Sequence, residues 1–126
     1  MSQSAAIELM GRPPINPIGS CFDSTAVQAF EWIRAAPFKI CHGVGVATMP
    51  GQEGREIGHC WLERDGMAFD TTWGAKVDAD KYRADLRLSY VVEYDPLDWL
   101  RQYLETNYPG PWDPKIKAIT DRKTKE

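Results

Sequence analysis

Asp65-Gly66 interrupts two runs of strand-forming residues, 57–64 and 67–73. A two-residue Asp-Gly loop suits a type I′ turn, whose twist matches that of the strands it joins, so the dipeptide predicts a tight antiparallel hairpin. The loop length also sets the register: Arg64 faces Met67, Trp61 faces Asp70 and His59 faces Thr72. His59 and Asp70 then share one sheet face as diagonal neighbours, which is within side-chain reach.

The rest of the chain arranges itself around that hairpin. Phe22, Ala26, Phe30 and Ile33 recur at helical spacing, with Ser20 as a cap, Asp23 in the first turn and Pro37 as a stop; this predicts a helix over about 21–35. Residues 38–48 switch to period two, with Ile40, His42, Val44 and Val46 on one face and Cys41, Gly43 and Gly45 on the other. The glycines leave room for a helix or a substrate backbone to approach closely. A short helical turn is expected within 78–86 and a further strand over 88–94, with Glu63 and Glu93 as solvated strand positions. Asp95-Pro96 opens a second helix with Leu97, Leu100 and Leu104 as its buried stripe, and Pro109-Gly110-Pro111 closes it. Residues 1–19 read as a proline-punctuated, irregular lead-in, residues 20–112 as one domain, and residues 113–126 as a flexible tail of net charge +2.

At 126 residues and 43% hydrophobic composition, one domain can form a single core without disulfides. A net charge of −3 with scattered basic residues argues against a surface built for nucleic-acid phosphates. No run approaches the roughly 20 apolar residues of a membrane span, and the first residues lack the blocks of a signal peptide, so the expected setting is cytoplasmic, with no membrane partner.

The chemistry-bearing residues are Cys21, Cys41 and Cys60 with the only two histidines, His42 and His59. An imidazole beside a carboxylate is held in one tautomer, so His59 with Asp70 forms the orienting half of a nucleophile, base and acid set. Cys21 falls in the first helical turn, where backbone N–H groups point outward and favour a negatively charged nucleophile. Its own N–H is a candidate oxyanion donor, with Asn16 as a second. His42 and Cys41, adjacent on a strand, point to opposite faces and cannot pair, and the same holds for His59 and Cys60. That spacing also argues against a metal site, because each adjacent pair offers one ligand to a common centre and no C-x-x-C element is present. Cys41 and Cys60 therefore read as buried thiols, and His42 as a core or surface histidine. Trp61 and Trp73 read as packing around the hairpin or as walls of a substrate groove.

The order Cys21, then Gly58-His59-Cys60-Trp61-Leu62-Glu63, then Asp65-Gly66, then Phe69-Asp70-Thr71-Thr72-Trp73 resembles the transglutaminase-like branch of the papain-type cysteine fold. The nearest pattern is that of small bacterial and phage families reading Cys-Tyr-x-Asn-Ala, Glu-Gly, His-Ala-Trp and Asp-Pro-Thr-Trp. The resemblance implies an α+β domain: a Cys-bearing helix packed on a small antiparallel sheet, a papain- or transglutaminase-like core, and a C-terminal helix. It implies Cys21 as nucleophile, His59 as base and Asp70 as orienting acid, without a cofactor, acting on a protein or peptide in amide hydrolysis or acyl transfer. This chain departs from the pattern at Phe22, Ser24, Thr25, His42, Cys60 and Thr71. An alternative implied by those departures and by the small size is a catalytically inactive binding or inhibitor module of the same fold.

Overall fold

The computed structural model describes residues 21–34, 37–46 and 54–125. Four helices and five strands follow in the order α1 (Cys21–Trp32), β1 (Lys39–Val46), β2 (Glu56–Arg64), β3 (Met67–Asp70), β4 (Ala75–Asp78), α2 (Ala79–Asp85), β5 (Tyr90–Tyr94), α3 (Pro96–Thr106) and α4 (Pro114–Lys125). The strands form one antiparallel sheet in the order β4-β3-β2-β1-β5, an α+β arrangement. The expected lead-in 1–19, with Asn16, and the Ser20 cap lie outside the described residues. No helix among the described residues is long and apolar enough to cross a membrane.

The hairpin takes the register its turn dictates. Arg64 pairs with Met67 and Leu62 with Phe69, and Asp65 and Gly66 both adopt positive φ, 54° and 75°. Because strand side chains alternate, β2 feeds two cores. Cys60 and Leu62 join Ile40 and Val44 on one face, beneath Phe22, Ala26 and Ala29 of α1, Trp99 of α3 and Ile116 of α4. Trp61 joins Cys41, Ala68 and Val77 on the other, beneath Tyr82 of α2 and Leu86 just after it.

Gly43 and Gly45 serve that second core. A Cβ on Gly45 would lie 2.7 Å from the Leu86 carbonyl oxygen, and one on Gly43 would lie 3.0 Å from the Tyr90 carbonyl oxygen and 3.1 Å from the Trp61 ring. The backbone that leaves α2 therefore closes on β1, where Val46 N–H donates to the Leu86 carbonyl at 2.8 Å. What the glycines admit here is protein backbone and a tryptophan.

Four sequence expectations need correction. Residues 71–74 form a turn after a short β3, and β4 then adds an edge strand before the 78–86 helical turn. In α3 the stripe is rotated: Trp99 is buried, whereas Leu97 and Leu104 are 71% and 69% exposed, because the aromatic side chains Trp99 and Tyr103 pack against Phe30 of α1 and take the inward face. Asp95 stands at the N-cap position of α3 but makes no side-chain capping bond. Finally, the expected tail is helical through most of its length. Asp113 accepts from the N–H groups of Lys115 and Ile116, Tyr90 donates to its other oxygen, and Ile116 is fully buried against the sheet. Asp113-Pro114 is the same cap-then-proline signal as Asp95-Pro96, masked in the sequence by the surrounding charge.

Gly45→Ala is expected to cost about 1–3 kcal/mol through forced displacement of the Leu86 backbone. Urea unfolding of the variant against wild type checks this, with Gly66→Ala, where a Cβ meets nothing within 4 Å, separating backbone strain from steric clash.

Candidate functional site

His59 and Asp70 sit side by side as the register requires, but they do not touch directly. His59 Nε2 lies 3.6 Å from Asp70 Oδ2, an ion-pair distance that exceeds an ordinary hydrogen bond. The Tyr82 hydroxyl bridges them, 2.6 Å from His59 Nε2 and 2.7 Å from Asp70 Oδ2. All three side chains are buried.

The bridge assigns protons. Asp70 is held below the usual carboxylate range: burial opposes its charge, but His59, Tyr82 and the Trp73 N–H together outweigh that penalty. An ionised carboxylate only accepts hydrogen bonds, so Tyr82 spends its single proton on Asp70. The Tyr82 oxygen must then accept from His59, which places a hydrogen on Nε2 and leaves Nδ1 as the ring nitrogen that gains and loses a proton. Burial and the Asp70 charge push the Tyr82 phenol well above its ordinary value, so it stays protonated in this role. Asp70 is itself fixed at its other oxygen, which accepts from Thr72 N at 2.9 Å and Trp73 N at 3.2 Å in a local Asx turn.

Cys21 reaches this cluster from the first turn of α1, close enough to His59 to favour the charged form of the imidazole. Burial drives the His59 imidazolium down, yet Asp70 and Cys21 prevail and hold its pKa up at about 10. Two hydroxyls, three and four residues after Cys21, tie α1 to the rest: Ser24 and Thr25 meet Thr71 Oγ1 at 2.8 and 3.1 Å, and Thr25 also donates to the Cys60 carbonyl at 3.4 Å. The helix start is thus pinned both to the turn after Asp70 and to the strand residue after His59.

The other candidate residues take different places. Trp61 is fully buried, stacked on His59 with ring centroids 5.8 Å apart, and donates its indole N–H to Glu63 at 2.8 Å. Its function is therefore support behind the imidazole, not a groove wall. Trp73 is half-buried and packs with the second core. Cys41 and Cys60 are buried, and burial pushes the Cys41 thiol up to about 12 and Cys60 well above its usual range. Glu63 and Glu93, expected as solvated, converge with Cys41 around Arg83, which donates to Glu63 at 2.7 and 3.0 Å and to Glu93 at 2.6 Å. Cys41, Glu63 and Glu93 are spaced closely enough to hold a metal ion, but the guanidinium occupies that position and supplies the positive charge.

Sequence reading missed Tyr82. Its spacing with Leu86 marks an inward helical face, but nothing local shows that its hydroxyl ends between two residues of a separate hairpin. No protein-family model matches the chain, and no curated protein or solved structure is significantly similar to it.

His42 is the contrasting histidine. It is fully buried among Phe22, Tyr94 and Trp112, neither ring nitrogen has a hydrogen-bond partner among the described residues, and burial lowers its pKa to about 3. In the unfolded chain the same group titrates near ~6.5. Unfolding therefore takes up a proton between these values, and stability is lost as pH falls from 6.5 towards 3, at up to about 1.4 kcal/mol per pH unit. His59 has the opposite sign: its contribution is complete below ~6.5 and disappears as pH rises through about 10. Urea midpoints at pH 4.5, 6.5 and 9.5 are expected to peak in the middle, with His42→Leu flattening the acid limb alone and His59→Gln the alkaline limb alone.

Proposed function

We propose that this chain is a cysteine-dependent acyl-transfer enzyme with a transglutaminase- or papain-like core, in which Cys21 is the nucleophile, His59 the general base and acid, and Asp70 the anchor of His59 through Tyr82. The observation that supports it most is the proton assignment. With Nε2–H committed to Tyr82, the exchangeable site on His59 is Nδ1, and Cys21 lies close enough to that ring to favour its charged form.

In the first half-reaction Cys21 Sγ, its proton already held on His59 Nδ1, attacks the carbonyl carbon of an amide. The tetrahedral oxyanion is placed at the N-terminal turn of α1, where the Cys21 N–H is the candidate donor. The C–N bond then breaks, His59 returns its proton to the leaving amine, and a thioester remains. Water or an amine attacks the thioester, His59 Nδ1 accepts the proton of that nucleophile, the C–S bond breaks, and the sulfur departs beside the protonated imidazole, which restores the starting pair. Water as acceptor makes the reaction a hydrolysis, and an amine makes it a transfer. Nε2 keeps its hydrogen throughout, so Asp70 and Tyr82 hold the ring without exchanging protons with substrate.

A second reading, a binding module that retains the fold without turnover, is favoured by one observation: Cys21 is only 7% exposed. Thiol labelling separates the two. Iodoacetamide at pH 6, read by peptide mass spectrometry, is expected to modify Cys21 at least tenfold faster than Cys41 or Cys60, and His59→Ala is expected to abolish that preference. Equal rates at the three cysteines would sink the enzymatic reading in favour of the binding module. Tyr82→Phe is expected to retain the fold and shift the pH profile of Cys21 labelling, because the bridge that holds Nε2–H is gone; a profile identical to wild type would show the hydroxyl to be structural only.

A further inference from the structure

A groove of about 560 Å³ opens beside this site, lined by Ser24, Val27, Gln28 and Trp32 of α1, by Phe69 and Asp70 of β3, and by Lys76 of β4. It is within the size range of ligand sites. Cys21, Ser24, Gln28 and Trp32 fall at helical spacings of three, seven and eleven residues, so one stripe of α1 runs from the sulfur-bearing first turn into the groove. Along the axis that stripe covers roughly 16 Å, the length of about five residues of extended peptide.

The walls specify a ligand. Trp32 and Phe69 meet edge to face, with centroids 4.7 Å apart, and Val27 is left 62% exposed beside them. Two cations stand against this aromatic pair: Lys76, which lines the groove, has its Nζ 5.9 Å from the Phe69 ring centre, and the Arg64 guanidinium, outside the lining, is 3.9 Å from the ring centre of Trp32. Neither has an ion-pair partner among the described residues. Of the nearby acids, Asp70 is turned inward to Tyr82, and Glu31 accepts from Gln28 at 3.3 Å. An apolar floor under two uncompensated cations, in a chain of net charge −3, complements a segment that carries both an aliphatic side chain and carboxylates.

We propose that this groove binds an acidic–apolar peptide segment, with its aliphatic side chain on Val27, Trp32 and Phe69 and its carboxylates at Arg64 and Lys76, and that this segment flanks the carbonyl presented to Cys21. The last clause rests on the acyl-transfer reading; the binding itself does not. Two dansylated peptide amides, Asp-Leu-Asp-Gly and Lys-Leu-Lys-Gly, are titrated by fluorescence anisotropy against Cys21→Ser protein, so that turnover plays no part. The acidic peptide is expected to bind at least tenfold tighter, and Lys76→Glu and Val27→Glu, both at exposed positions, are each expected to weaken it at least threefold with an unchanged circular dichroism spectrum. Equal affinity for the two peptides, or an acidic preference untouched by both variants, overturns the proposal. Loss of selective Cys21 labelling with peptide binding intact removes the enzymatic reading alone, and the converse result removes the groove alone.

Discussion

Strand β2 is covered on both faces, and everything else in the molecule is arranged by that constraint. Residues 59–62 are all buried, with Cys60 and Leu62 directed into the core under α1, α3 and α4, and Trp61 into the core under α2. In a strand with a period of two, a slip of one residue would exchange His59 for Cys60 and place both in the wrong environment. The Asp65-Gly66 turn prevents the slip on the side of β3, and the eight-residue pairing with β1 prevents it on the other. The register that protects the two cores is the register that sets His59 beside Asp70.

The departures from the transglutaminase-like pattern acquire meaning in three dimensions. Ser24, Thr25 and Thr71 are separate substitutions in the sequence, yet in the fold their hydroxyls contact one another. A proline at 71 would have no hydroxyl to offer, and asparagine and alanine at 24 and 25 would lack this particular match. The three hydroxyls form one joint between the start of α1 and the turn after Asp70.

The two histidines show how partners, not burial, decide protonation. Both are buried, but His42 is enclosed by rings and stays neutral down to about 3, while His59 meets a carboxylate chain and a sulfur and keeps its proton up to about 10. Desolvation disfavours the charged form in each case; at His42 the Asp113 charge does not offset it, whereas at His59 the neighbouring groups outweigh it. One histidine therefore serves packing and the other has the environment of a working acid and base.

The sequence by itself determined the local elements and their pairing: the Asp-Gly turn, the alternation in β1 and β2, the helix that begins at Cys21, and through the hairpin register the neighbourhood of His59 and Asp70. These follow from turn chemistry and side-chain periodicity, which act over a few residues. Tertiary structure decided what depends on distant surfaces. It placed the Tyr82 hydroxyl between His59 and Asp70, because α2 lies across the second face of the sheet. It turned Trp99 inward in place of Leu97 and Leu104, because the aromatic rings of α1 and α3 pack better against each other. It recruited the charged C-terminal segment as a helix, because Ile116 found an apolar face and Asp113 a tyrosine partner. Periodicity shows which side of an element is apolar, but only the assembled core selects which apolar residue fills a given space and which buried hydroxyl meets which carboxylate.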